Sequence, residues 1–177
     1  MVIWLIGLSG AGKTTIGKKL YDRFHEQYSN TVFLDGDMLR DIWGDSLSHD
    51  IEGRRINAHR ISHLSAMLDK QGINVVAAVL SIFPEWQEWN RKEIENYFEV
   101  FLDVPFNIVK ERDFKGIYKK TECGETNNVV GIDIPFPKPE KSDIVLSSPD
   151  VLRQPDEIVE NILSNLKISA FLKHESF

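Results

Sequence analysis

Val2-Ile3-Trp4-Leu5-Ile6-Gly7-Leu8-Ser9-Gly10-Ala11-Gly12-Lys13-Thr14 opens the chain. Its first five residues form a continuous apolar run, the pattern of a strand buried on both faces of a parallel sheet. The next eight, Gly7 to Thr14, satisfy G-x-x-x-x-G-K-[ST]. The period then changes. Ile16, Leu20 and Phe24 recur every four residues beside Lys18, Lys19, Asp22 and Arg23, which predicts an amphipathic helix from Lys13 to about Gln27. A strand, a glycine-rich turn and a helix in this order aim backbone N–H groups and the positive end of a helix dipole at phosphate oxygens. Gly7, Leu8, Ser9, Gly10, Ala11, Gly12, Lys13, Thr14 and Thr15 are therefore the expected ATP-binding segment. Lys13 is expected to reach the β and γ phosphates and Thr14 to ligate Mg2+. A glycine-rich turn with a surface lysine is the bland alternative, and the flanking strand and helix argue against it.

Outward from this point the alternation repeats. Thr31 to Leu34 reads as a second buried strand, and Ile56, Ile61, Leu64, Met67 and Leu68 predict a long helix from about Ile51 that Gly72 ends. Ile73 to Leu80 is a third strand. Pro84 suits the first turn of a helix reaching about Tyr97, Phe98 to Val104 a fourth strand, and Pro105 the start of another helix. Ile144 to Leu146 makes a fifth strand and Asp156 to Leu166 a closing helix. The expected fold is α/β, a P-loop NTPase-type parallel sheet of about five strands with helices on both faces. With 177 residues, the chain reads as a single domain over 1–177.

One stretch breaks the alternation. Between about Asp113 and Ser142 lie Gly116, Gly124, Gly131, Pro135, Pro137 and Pro139 together with five lysines, too long and irregular for an ordinary connection. Lysines beside glycine hinges predict a lid over a phosphorylated ligand.

Lys and Arg number 21 and Asp and Glu 27, a net charge of −6, so no global positive field gathers nucleic acid or an anionic membrane. Any polyanion must be held by a local site. The single cysteine, Cys123, excludes an intrachain disulfide and fits a reducing cytoplasm. No segment has the 18 or so apolar residues needed to span a bilayer. The expected partners are small-molecule nucleotides, with no nucleic acid and no membrane.

A phosphate loop alone does not separate a kinase from a nucleotide switch. Asp35 and Asp37 stand at the C-terminal end of the second strand, the sheet edge where ligands bind. One carboxylate is expected to organise Mg2+ while the other orients an acceptor hydroxyl and takes its proton, and the sequence does not say which is which. Asp35, Asp37 and Lys13 are the catalytic candidates, and Thr14 and Asp35 the metal candidates. No N-K-x-D guanine-reading segment is present, which disfavours a regulatory switch.

Several blocks, in order, resemble the adenylyl-sulfate kinase family: Ile3 to Gly10, Leu34-Asp35-Gly36-Asp37 with Arg40, Arg54-Arg55-Ile56-Asn57 with Arg60-Ile61, Arg112 to Lys120, and Gly131-Ile132-Asp133 followed by Pro135. The resemblance implies transfer of the ATP γ-phosphate to the ribose 3′-hydroxyl of adenosine 5′-phosphosulfate. It also implies that Arg40, Arg54 and Asn57 hold the acceptor's phosphosulfate and ribose, an arginine fork being suited to such a group. Asp37, His49, Ile82, Lys115, Lys119 and Val129 are the further acceptor-binding candidates, and Arg112 joins the ATP site. The family precedent is a homodimer.

The departures matter as much. Where the family stacks the acceptor adenine between two aromatic residues, this chain has His49 and Val129; Phe114 replaces a proline, and Phe83 replaces a serine before Pro84. Ser81 lies two places away, and direct in-line transfer without a phosphoenzyme is expected. A base pocket without that aromatic pair equally suits the cytidine diphosphoramidate kinases of capsule biosynthesis, which resemble adenylyl-sulfate kinases; Phe83 or Phe136 supplying the stack is the competing reading. His25, His59, His63 and His174 read as surface or packing residues and Trp43 as a packing anchor. Trp86 and Trp89 read as packing anchors or, if exposed, as part of a dimer interface.

Overall fold

The computed structural model describes residues 1–44, 47–165, 168 and 171. Five parallel strands, β1 (Val2–Ile6), β2 (Thr31–Asp35), β3 (Asn74–Val79), β4 (Tyr97–Leu102) and β5 (Ile144–Leu146), form one sheet in the order β2-β3-β1-β4-β5. In β1, which lies at the centre, side chains alternate between two cores. Ile3 and Leu5 meet Ile16, Leu20 and Phe24 of α1 (Lys13–Gln27) on one face. Val2, Trp4 and Ile6 face the other, where Leu39, Ile61 and Ala66 of α2 (Gly36–Ile42) and α3 (Ile51–Lys70) pack. The continuous apolar run is thus explained by burial on both sides.

The remaining helices are α4 (Pro84–Glu93), α5 (Phe106–Arg112), α6 (Ile117–Glu122) and α7 (Pro155–Leu163). Two expectations need correction, one element is new and one alternative is resolved. First, α4 ends at Glu93 and not near Tyr97, because Ile94 turns extended and is buried, and Tyr97 already pairs with Val2 in the sheet. Second, the stretch from Gly36 to Ile42 is helical, its N-terminus capped by the Asp35 side chain. Third, the segment from 113 to 142 is not irregular throughout. It contains α6, and Tyr118 on that helix is only 1% exposed, while Val129, Val130 and Ile134 are also buried. Fourth, Trp86 and Trp89 are packing anchors, the first of their two readings. They are half-buried against the α3 histidines, with His63 stacked on Trp89 at 4.3 Å and His59 edge-on to Trp86 at 5.0 Å.

α7 begins at Pro155; Leu166, the expected end of that helix, and His174 lie outside the described residues. Among the described residues no helix is long and apolar enough to cross a membrane.

Candidate active site

The segments that follow β1, β2 and β3 meet at one edge of the sheet, the position at which parallel sheets bind ligands. A cleft of about 740 Å³ opens there, walled by Ser9 to Ile16, Asp35, Asp37, His49, Arg54, Arg112, Phe114, Lys115, Asn128 and Val129. A smaller cavity of about 90 Å³ adjoins it, lined by Arg40, Asn57, Ser81, Ile82, Phe83 and Trp86, and shares Asp37, His49 and Arg54 with the cleft.

The loop before α1 carries the phosphate-binding geometry. Gly10 and Gly12 have φ of 80° and 92°, in the left-handed region that side chains avoid, so the loop turns its amides inward only with glycine there. Gly7 sits outside the cleft lining, and a Cβ on it would lie 3.0 Å from the Leu102 carbonyl oxygen: its role is close approach to β4. Leu8 is likewise behind the loop, its carbonyl accepting from Lys13 Nζ at 2.8 Å. Burial pulls the Lys13 pKa down to about 8 despite the opposing pull of Asp37 and Asp35, so its ammonium is short of counter-charge.

Asp35 serves three neighbours. Its Oδ2 accepts from Thr14 Oγ1 at 2.7 Å, and its Oδ1 accepts from the backbone N–H of Asp37 at 2.9 Å and of Met38 at 3.4 Å. A hydroxyl and a carboxylate side by side are hard oxygen ligands of the kind Mg2+ takes when most of its shell comes from phosphates and water. Asp37, by contrast, faces the cleft and is ion-paired with Lys115 of the 113–142 segment. Its partial burial raises its pKa, but the hydrogen bond and charge of Lys115, with Lys13 and Arg40, outweigh this and hold it below the usual carboxylate range.

Arg40 and Arg54 organise the far wall. Arg40 Nη1 donates to the carbonyls of Leu47 at 3.1 Å and Ser48 at 2.8 Å; Arg54 donates to His49 O at 2.8 Å and to Asn128 O at 2.7 Å, tying α3 to the segment over the cleft. Asn57 Nδ2 donates to Gly36 O at 3.4 Å. Burial, then the charges of Arg40 and Arg54, lower the His49 pKa, so its ring is neutral at pH 7. Thr15, Arg112, Lys115, His49 and Val129 line the cleft, and Ile82 the smaller cavity.

Lys119 does not join them. Its side chain is exposed and lines neither cavity, while its backbone N–H donates to Asp113 at 3.0 Å, in the cap of α6. The residues that α6 presents inward are instead Ile117 and Tyr118, whose hydroxyl donates to Ser9 O at 2.9 Å. Phe136 packs against Phe101 at 5.9 Å and reaches neither cavity, whereas Phe83 lines the smaller one. The wall from Val151 to Ile158 carries no sequence signal beyond the helix start at Pro155.

A family model described as adenylylsulphate kinase matches residues 1–147. The chain belongs to the adenylyl-sulfate kinase family. Among relatives, a cytidine diphosphoramidate kinase of Campylobacter jejuni is 39% identical over 167 residues, covering 94% of this chain and 96% of that protein. An adenylyl-sulfate kinase of Clostridium acetobutylicum is 36% identical over 167 residues, covering 94% and 82%. The Mycobacterium tuberculosis adenylyl-sulfate kinase solved with AMPPNP and adenylyl sulfate superposes with a TM-score of 0.80 at 32% identity, over 92% of this chain and 94% of that one. The kinase is thus a phosphotransferase on a P-loop sheet. The expected fold, parallel strands with helices on both faces, holds.

Proposed function

We propose that the protein transfers the ATP γ-phosphate to the ribose 3′-hydroxyl of an activated cytidine nucleotide, a cytidine diphosphoramidate. The observation that carries this reading is the pair His49 and Val129 where the adenylyl-sulfate kinases grip adenine. A neutral imidazole and a valine offer hydrogen bonding and a small apolar contact, which suit a pyrimidine better than the larger purine. The name of the Campylobacter jejuni relative supports it.

In this reading the loop amides and Lys13 hold the phosphates, with Arg112 and the 151–158 wall beside the ATP base. Arg40, Arg54 and Asn57 hold the acceptor's charged tail. Thr14 and Asp35 would hold Mg2+, which neutralises charge on the phosphate oxygens when bound. Asp35 is committed to Thr14 and to the cap of α2, so Asp37 is left as the base: it takes the proton of the 3′-hydroxyl as that oxygen forms a bond to the γ-phosphorus and the bond to ADP breaks. For this Lys115 must leave Asp37, and the incoming phosphates are its natural new partner. Ser81 accepts a hydrogen bond from Trp4 Nε1 at 3.3 Å, a structural contact that agrees with direct transfer. The reaction belongs in the cytoplasm, where ATP is available and the exposed thiol of Cys123 stays reduced.

The second reading, adenosine 5′-phosphosulfate as acceptor, is favoured by the relatives of that name. Steady-state kinetics with ATP and each acceptor separates them. A kcat/KM ratio of tenfold or more for the cytidine compound, about 1.4 kcal/mol of differential transition-state binding, is expected; a tenfold preference for adenosine phosphosulfate overturns it.

A further inference from the structure

His59 and His63 stand one turn apart on α3, at the i, i+4 spacing that puts two side chains on the same face of a helix. Both are exposed, and their rings lie side by side with centroids 4.1 Å apart. Two indoles of α4 hold them there. Trp89 stacks on His63 at 4.3 Å, and Trp86 meets His59 edge-on at 5.0 Å and His63 at 5.7 Å. The histidines line neither cavity, and the reaction proposed above makes no use of them.

The tautomer of His63 is set by its neighbour. Its Nδ1 lies 3.0 Å from the His59 carbonyl oxygen, which can only accept, so Nδ1 carries the hydrogen and Nε2 keeps its lone pair. An imidazole that gives one N–H to a backbone carbonyl while its other nitrogen is free has the tautomer and the fixed ring orientation of a metal ligand. His59 is kept unprotonated as well: partial burial, then the proximity of His63 and Arg60, lower its pKa. Arg60 has its guanidinium over the Trp43 ring at 5.5 Å, so the cation next to His59 in sequence is engaged with another side chain.

We propose that His59 and His63 form a two-histidine binding site for a divalent transition-metal ion of the class Cu2+, Ni2+ or Zn2+. The spacing is that by which zinc-binding helices present two imidazoles to one ion. Among the described residues no group of three or more His, Cys, Asp and Glu side chains is placed to hold a metal, so water completes the shell. Rings packed against indoles have little rotamer freedom left to lose, which removes the cost that weakens such a pair on an open helix surface. The donors also separate this site from Thr14 and Asp35: imidazole nitrogen favours Cu2+, Ni2+ and Zn2+, and hard oxygens favour Mg2+. Trp86 touches both histidines and lines the smaller cavity, so an ion held here is one side chain away from that cavity.

The indoles make the test direct. Tryptophan fluorescence of the whole chain is titrated with Ni2+ in excess Mg2+, which competes for the oxygen ligands, and in a Cys123→Ser background, which removes the exposed thiol. Saturable quenching is expected, with Cu2+ binding more tightly than Ni2+ and Mn2+ at least tenfold more weakly. His59→Asn and His63→Asn should each weaken Ni2+ at least tenfold while kcat/KM with ATP and Mg2+ is unchanged. Ni2+ should raise the melting temperature of the parent protein and of neither variant. With Zn2+, the 15N resonance of His63 that moves should be Nε2. Absence of saturable quenching, equal affinity for Mn2+ and Ni2+, unchanged Ni2+ affinity in either variant, or movement of His63 Nδ1 in place of Nε2 would each overturn the proposal.

Discussion

Lys115 and Asp37, 78 positions apart in the chain, are ion-paired across the mouth of the cleft. The pairing stabilises the carboxylate and makes Asp37 a weaker base than it would be alone. Both side chains are more than half exposed, at 59% and 68%, so solvent screens the pair and separating it is inexpensive. Lys115→Met should therefore raise the Asp37 pKa and move the acidic limb of the kcat/KM profile to higher pH, while lowering kcat/KM through the lost phosphate partner. A pH–rate profile of the two proteins checks this, and an unmoved limb would argue against Asp37 as the base.

ATP binding should depend on the protonation of Lys13. With its pKa at about 8 in the free protein, the side chain is largely charged at pH 7 and largely neutral at pH 9. Phosphate oxygens favour the charged form, so binding takes up a proton at pH 8 and above, and affinity falls as pH rises through 8. Calorimetry in buffers of different ionisation enthalpy reads that proton directly. Lys13→Ala should abolish the uptake and lower turnover by several orders of magnitude with little change in melting temperature.

Asp35→Asn and Asp37→Asn should both lower kcat, and they should differ in what restores it. Asparagine caps a helix as well as aspartate, so Asp35→Asn should keep α2 and the melting temperature. Its loss should be offset in part by raising Mg2+, since Thr14 and the metal lose a carboxylate. Asp37→Asn should fall about 10²- to 10⁴-fold, the usual contribution of a general base, and should not respond to Mg2+. Magnesium titrations of the two variants distinguish them; the opposite pattern would exchange the two roles.

Hydrogen exchange should divide the 113–142 segment. Tyr118, Val129, Val130 and Ile134 are buried, and the backbone around them should already be protected without ligand. Protection around Lys115 and from Glu125 to Asn128 should rise when an ATP analogue and acceptor are bound together, because Lys115 then gains phosphate partners. Uniform protection in the free protein would remove the idea of a closing segment.

The elements that sequence made legible are those in which local pattern and tertiary burial agree. Val2 to Ile6 is apolar throughout because both of its faces are covered, and Lys13 to Gln27 has a period of four because one face is. Asp35 was legible as a site residue, but not the helix after it: Gly36 is a poor helix former, and the cap that begins α2 depends on a carboxylate equally at home in a turn. Lys119 misled because an amphipathic turn of six residues has too little pattern to say which lysine faces the ligand. Trp86 was readable as an anchor or an interface residue, since the choice between the two depends on the α3 histidines that pack against it.

The hydroxyl of Tyr118 on the Ser9 carbonyl fastens the covering segment, near its start, to the phosphate loop. A flap of thirty residues free along its whole length would have to surrender its conformational freedom each time it closed, and that loss would weaken every nucleotide it was meant to trap. Pinned at Tyr118 and buried again at Val129, Val130 and Ile134, the segment leaves only the stretches between these anchors to be ordered. Affinity for the nucleotides is therefore largely spared an entropic penalty, and release of product needs the movement of one such stretch and not the unfolding of a lid.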